Sequence, residues 1–173
     1  MQKWDRPIYY RIEGGPTQED TAALSKIIKE LNEVEGFPGI YAATGLEQNL
    51  SISFLNQTEL NDRFSSVVNG ESVNGAVQFW YYTATNNIYN GRIGYRKDAS
   101  QAIRNSVIPE EIINLLGITD TVLRRDSITY QYGDGATELS AVDWVIVKLL
   151  YNPMMKCGMN AAECEKVIRE LYY

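Results

Sequence analysis

Residues 110–120 hold the side chains whose types and spacing could do chemistry. Glu110 and Asn114 are four apart, so on a helix they would project from one face. Glu111 would point about one residue step away, and Gly117 would let the chain turn so that Asp120 returns toward the pair. Glu, Asn and Asp offer only oxygen ligands, a set that suits Ca²⁺ or Mg²⁺ and binds Zn²⁺ poorly.

The composition excludes several classes of function. The 173 residues contain no histidine, which removes Ser-His-Asp and Cys-His catalysis and every imidazole zinc site. The net charge of −6 argues against nucleic acid as a partner, because phosphate binding needs clustered lysine and arginine. No apolar run reaches the roughly 18 residues that cross a bilayer, so we expect no membrane span.

Three interpretations of residues 110–120 stay open. The segment could belong to a scaffold that binds a partner without metal, or to a cation site with Glu110, Asn114 and Asp120 as ligands. It could also serve a metal-free hydrolase that uses Glu110 and Glu111, although neighbouring carboxylates on a helix diverge and a glycosidase pair faces each other about 5–9 Å apart. Each of these side chains also has a structural alternative, as a first-turn carboxylate, a backbone hydrogen-bond partner or a turn cap.

Strands and helices that would position this segment are visible in the periodicity. Residues 8–12 and 50–55 alternate like strands. Thr17 is a natural N-cap for an amphipathic helix that runs to about residue 34. Residues 76–83 and 88–95 predict an antiparallel hairpin. We predict a polar segment with turns over residues 56–75.

The second half of the chain predicts helices. One spans residues 99–116, and Pro109 inside it predicts either a kink or a restart. Gly117 would end this helix. Two more helices follow, one that starts at Ser140 or Asp143 and one that Asn160 caps. Strands early and helices late predict a single α+β domain over residues 1–173.

Position by position, residues 110–120 resemble the metzincin zinc-peptidase signature HExxHxxGxxH/D. Glu110, Asn114 and Asp120 stand at its three metal ligands, Glu111 at its catalytic glutamate and Gly117 at its turn glycine. Residues 126–130 resemble the Met-turn of these enzymes, and residues 139–151 resemble their closing helix. Residues 99–160 are especially similar to an uncharacterised bacterial group, domain-of-unknown-function family 2927, whose members resemble this peptidase clan but lack the histidines.

This resemblance implies a metzincin-like, or zincin-like, fold in which a mixed N-terminal sheet and a long helix precede the motif helix. Glu111 would be the remnant of a catalytic residue, and the lost imidazoles imply no zinc and no cofactor, with calcium or magnesium as the alternative. We therefore expect a binding or scaffolding domain of the cell envelope that is not an enzyme. The alternative is a carboxylate-liganded, metal-dependent hydrolase that acts on peptides.

Aromatic residues predict the surface that a ligand would contact. Residues 79–82 are four consecutive aromatics, so two must face each side of their strand. In the peptidase fold an edge strand beside the site pairs with an extended substrate. Phe79, Tyr81 and Tyr130 are accordingly predicted to contact a peptide or protein ligand. The alternative is that helices cover both faces of the sheet.

The two cysteines bear on the cellular location. Cys157 and Cys164 are seven positions apart, and the spacing leaves both a disulfide and two buried thiols open. A disulfide would indicate work outside the cytosol. We expect an extracellular or envelope-attached protein, with the cytoplasm as the alternative.

Overall fold

The computed structural model describes residues 1–119, 123–132 and 135–173. Six strands form one sheet, and six helices are present in this part of the chain. The architecture is therefore mixed α/β, in agreement with the predicted α+β class. The strands are β1 (Lys3–Trp4), β2 (Ile8–Glu13), β3 (Ile40–Ala42), β4 (Leu50–Leu55), β5 (Gly75–Tyr81) and β6 (Asn87–Arg96). The helices are α1 (Gln18–Asn32), α2 (Gln57–Arg63), α3 (Ser65–Val68), α4 (Gln101–Leu115), α5 (Ala141–Tyr151) and α6 (Ala161–Tyr172).

Most of the sheet is parallel. Its strand order is β1-β6-β4-β2-β3, and every neighbouring pair along this path runs in the same direction. β5 joins the sheet through an antiparallel hairpin with β6, and it pairs with no other strand that the structure describes. β5 therefore leaves one side of its backbone at the edge of the sheet.

Capping side chains explain where the helices begin. Four capping side chains each accept a hydrogen bond from the backbone N–H three residues ahead, and the carboxylate at that position accepts one from the capping residue's own N–H. The four are Thr17, Asn56, Ser140 and Asn160. Such a reciprocal pair satisfies two N–H groups that the first helical turn leaves open.

Several elements predicted from the pattern are confirmed, and one prediction was wrong. Strand β4, the β5–β6 hairpin and the N-caps at Thr17 and Asn160 are confirmed. Of the two starts left open for α5, Ser140 is the N-cap. α4 continues through Pro109 without restarting. The segment predicted to be polar turns over residues 56–75 instead contains α2 and α3, because Leu60, Phe64 and Val68 recur every four residues and pack together.

The main hydrophobic core lies between the sheet and helices α1, α4 and α5, which contribute Leu24, Ile112 and Val147 among others. A smaller cluster joins α2 and α3 to the other face of the sheet. Alternate residues of β5 divide between the two, because Val77 and Phe79 pack on the main core and Ala76 packs on the smaller cluster. Helices thus cover both faces of the sheet near β5, and its edge lies between them.

A buried ion pair fixes α4 against α1. Arg104 Nε lies 2.9 Å from Asp20 Oδ1, and the two side chains are 9% and 2% exposed. Arg104 also donates to the carbonyl oxygens of Lys97 and Ala99, at 3.0 and 2.6 Å. The pair therefore ties the start of α4 both to α1 and to the turn that follows β6.

The C-terminal segment carries both cysteines as free thiols. Cys157 and Cys164 are not joined in this structure, and both are half-buried, whereas the thiol alternative had them buried. None of the described helices combines the length and the apolar composition that a membrane crossing needs.

Candidate functional site

The motif residues lie in the second half of α4, facing β5. Glu111 is 7% exposed and Glu110 is half-buried. Asn114 donates a hydrogen bond from Nδ2 to Glu111 Oε2 at 3.3 Å. The described contact thus joins positions three apart, which are neighbours on a helix just as positions four apart are.

A glycine lets the Glu111 carboxylate reach β5. A Cβ atom built on Gly75, the first residue of β5, would lie 2.6 Å from Glu111 Oε1 and would also overlap the Val107 side chain. Real Cβ atoms do not approach a neighbour so closely, so α4 and β5 can pack at this spacing only while residue 75 lacks a side chain. Glu111 is therefore held between Asn114 and the start of the edge strand.

The Gly75→Ala substitution should force α4 and β5 apart. We expect a loss of about 1–3 kcal/mol in the free energy of unfolding, which is typical of overpacking, measured by urea denaturation. Gly45→Ala is the matched control, because the atoms nearest to its Cβ would belong to the flexible Glu47 carboxylate. Equal urea midpoints for the two variants would contradict the close packing.

Tyr95 is a buried residue whose pKa is affected by Glu110 and Glu111. Its hydroxyl is buried and donates to the carbonyl oxygen of Ile108 at 2.9 Å. Burial raises the pKa of Tyr95 well above its ordinary value, and the nearby charges of Glu111 and Glu110 raise it further. Tyr95 therefore stays a protonated donor.

Asp143 at the start of α5 holds the segment that precedes Tyr130. Its carboxylate accepts hydrogen bonds from the Ser127 hydroxyl at 2.7 Å and from the Ile128 backbone N–H at 3.0 Å. Burial raises the pKa of Asp143, but these bonds together with those from Ser140 outweigh it, so the pKa is lowered. Asp143 thus anchors residues 127–130 as an ionised acceptor.

An open cleft of about 870 Å³ brings these groups together. One wall comes from α3, and the opposite wall comes from α4 and the Tyr130 segment. β5 runs between the walls. The lining residues that matter below are Val67, Glu71, Gly75, Val77, Phe79, Glu110, Glu111, Asn114, Tyr130 and Tyr132.

The backbone of β5 offers hydrogen-bonding groups to this cleft. Arg96 donates its N–H to the carbonyl oxygen of Asn74, so this pair is hydrogen-bonded across the hairpin. In an antiparallel pair bonded and non-bonded positions alternate, which directs the N–H and C=O of Gly75, Val77 and Phe79 away from β6. The same three residues line the cleft.

The structure brings most of the predicted site residues into this one cleft. Tyr81, 39% exposed, does not line it, and Asp120 lies outside the described residues. Within the described ranges, no group of three or more His, Cys, Asp or Glu side chains could hold a metal ion. The predicted residues that do line the cleft are Glu110, Glu111, Asn114, Phe79 and Tyr130.

Sequence reasoning missed the α3 wall and the role of Gly75. A signal for the preceding helix α2 was present in Asn56 and Glu59, which form a capping box at its start, whereas α3 has no side-chain cap. The local pair Asn74-Gly75 indicates only a turn, because the need for a missing side chain at Gly75 arises from a helix more than thirty positions away.

The fold and the cleft define a mixed α/β domain with a ligand-sized site at the edge of its antiparallel strand. A family model described as "Protein of unknown function (DUF2927)" matches residues 1–170. The chain therefore belongs to this family, as the similarity of residues 99–160 predicts. No curated protein matches the chain. The likeness to metzincin peptidases stays a prediction.

Proposed function

We propose that this protein is a peptidase-like binding module without zinc, which takes up an extended peptide as an additional strand along β5. The observation that carries the proposal is the outward direction of the N–H and C=O groups of Gly75, Val77 and Phe79 into the cleft. A peptide strand would pair with these groups and continue the sheet. Metzincin-like ancestry is part of the proposal and rests on the resemblance of residues 110–120.

The cleft has the dimensions and walls for such a strand. Its volume of about 870 Å³ lies within the roughly 300–1,000 Å³ of ordinary ligand sites. Successive side chains of an extended peptide point to opposite sides, so they would contact the α3 wall and the α4 wall in turn. Main-chain pairing would supply affinity, and the walls would supply selectivity.

The position of Glu111 supports binding rather than catalysis. A zinc peptidase needs its glutamate to take a proton from a metal-bound water, and it needs imidazoles to hold the metal. This chain has no histidine, and Glu111 is buried, accepts from Asn114 and packs against the start of β5. Its carboxylate thus helps to join α4 to the edge strand.

A peptide library tests the proposal directly. Random twelve-residue peptides displayed on phage should yield binders, whose synthetic copies lose most of their affinity for the Phe79→Ala variant. Tyr41→Ala is the matched control, because Tyr41 is an exposed aromatic on β3 at the opposite edge of the sheet. The proposal fails if no peptide is enriched or if both variants bind equally.

A second measurement does not depend on how Phe79→Ala folds. N-methylation of a selected peptide at single positions removes one N–H donor at a time. Strand addition predicts that every second N-methyl group abolishes binding, because only alternate N–H groups face the neighbouring strand. Uniform tolerance of N-methylation would exclude pairing with β5.

The carboxylate-liganded metal hydrolase is the second candidate, because Glu110 and Asn114 line the same cleft. Thermal melting in EDTA and then with Ca²⁺, Mg²⁺, Mn²⁺ or Zn²⁺ separates the two functions. A cation at 100 times its Kd would add about 2.7 kcal/mol and raise the Tm by several degrees. We expect no shift. A shift with Ca²⁺ or Mg²⁺ that Glu110→Ala abolishes and Glu30→Ala retains would favour the hydrolase.

A further inference from the structure

We infer that the cleft selects peptides carrying a cationic side chain, lysine or arginine, which would lie between Glu110 and the aromatic pair Tyr130 and Tyr132. This inference rests on the proposed function and names the ligand class for the same site. It is carried by two independent features of the cleft walls, their charge and their aromatic rings.

Among the described residues, the charged side chains that line the cleft are all acidic. Glu111 is buried in the α4 wall, Glu110 is half-buried beside it, and Glu71 is exposed on the α3 side. No lysine or arginine lines the cleft within the described ranges. A cationic side chain that enters between the walls would therefore meet these carboxylates, and partial desolvation strengthens such a pairing.

The glutamates of α4 also affect a buried residue of the sheet. Both Glu111 and Glu110 raise the pKa of the buried Tyr95 hydroxyl, after the larger effect of burial itself. The two glutamates therefore lie close enough to act electrostatically on a buried group, where charges are screened less than in water.

Aromatic rings complete the proposed subsite. Tyr130 and Tyr132 pack edge to face with ring centroids 5.7 Å apart, and both line the cleft together with Phe79. Aromatic faces attract ammonium and guanidinium groups through the ring quadrupole. Carboxylates on one side and aromatic faces on the other suit a cation on an apolar stem better than they suit a neutral or acidic side chain.

Three pools of peptides test the charge preference. Each pool contains fluorescein-labelled eight-residue peptides of mixed alanine, serine, threonine and valine, with the fourth residue fixed as lysine, norleucine or glutamate. Fluorescence anisotropy at low salt should give a Kd for the lysine pool about tenfold below that of the norleucine pool, the size expected for a charge-assisted hydrogen bond. The glutamate pool should bind most weakly, and 0.5 M NaCl should reduce the lysine preference.

Two substitutions distinguish a lysine preference that arises in the cleft from one that arises from the negative charge of the whole protein. Glu110→Gln should bring the lysine and norleucine pools to within about twofold of each other, since the charge-assisted interaction is removed. Glu30→Gln is the matched control, because Glu30 is also half-buried on a helix but does not line this cleft. An equal effect of both substitutions would overturn the inference, because the net charge of −6 would then explain the preference.

The outcomes distinguish the inference from the proposed function. Equal binding of the lysine and norleucine pools, with both pools weakened by Phe79→Ala, would overturn charge selection and leave strand addition standing. Failure of all three pools and of the phage library to bind would overturn both. A lysine preference that Glu110→Gln removes would support both.

Discussion

The Asp20→Ala variant is expected to lose about 3–5 kcal/mol of folding free energy, the range measured when one partner of a buried ion pair is removed. Asp20 accepts hydrogen bonds from Arg104 Nε at 2.9 Å, from Gln101 Nε2 at 2.8 Å and from the Thr17 backbone N–H at 2.8 Å. The substitution leaves Arg104 charged, buried and without this carboxylate. It also removes the capping box of α1.

Urea denaturation of the purified variant measures this loss. The neighbouring Glu19→Ala substitution is the control, because Glu19 is exposed in the same helical turn and surface charges contribute little. If Asp20→Ala unfolds at the same urea concentration as Glu19→Ala, the clamp between α1 and α4 does not contribute as described.

Acidification should reduce the stability that the Asp20 carboxylate contributes. Burial raises the pKa of Asp20, but the hydrogen bonds from Arg104, Thr17 and Gln101 outweigh it and lower the pKa in the folded state. Its contribution is therefore complete above the unfolded pKa of about 3.9 and is lost as the pH falls through the lower folded value. The Asp20→Asn variant should lose less stability than the wild type over that window.

The Asp143→Ala variant is expected to lose about 3 kcal/mol, because it leaves buried donors without their acceptor and removes a helix cap. The N–H groups of Ile128 and Ser140 both donate to Asp143 Oδ2, at 3.0 and 2.9 Å, and the Ser127 hydroxyl donates to Oδ1. Thermal or urea unfolding measures the loss. Tyr130 follows this anchored segment, so its position in the cleft should loosen as well.

Glu163→Ala in α6 is the matched control for Asp143→Ala. Glu163 forms the same kind of capping box at the start of α6, but it is exposed and its described bonds stay within one helical turn. We expect only a small loss of stability and no effect on peptide binding. Comparable losses in both variants would show that Asp143 acts only as a cap and does not anchor residues 127–130.

Local sequence patterns predicted the elements whose caps or periodicity are visible within a few residues. Short-range features can be recognised without knowledge of the fold. They include the caps at Thr17 and Asn160, the helix start near Ser140 and the alternation of residues 50–55. Strands β1 and β3 were not predicted because they span only two and three residues. The helices α2 and α3 escaped because turn residues outnumber the few buried positions that define them.

The candidate site was predictable only in part, because only some of its features are local in the sequence. The spacing of Glu110, Glu111 and Asn114 is local, and the structure does bring them into one cleft with Phe79 and Tyr130. The sequence spacing places Glu110 and Asn114 on one face of the helix, and the described hydrogen bond joins Asn114 to Glu111. Glu111 also packs against Gly75 at the start of β5, a contact that the sequence spacing does not indicate.

Amide exchange along β5, measured by NMR with and without a selected peptide, tests strand addition most directly. The N–H groups of Gly75, Val77 and Phe79 should exchange readily in the free protein and slowly in the complex. Those of Ala76 and Gln78, already bonded to β6, should change little. Slowed exchange at the three alternate positions is the predicted result. Unchanged exchange there while the peptide is bound would contradict pairing with β5 and locate the ligand elsewhere.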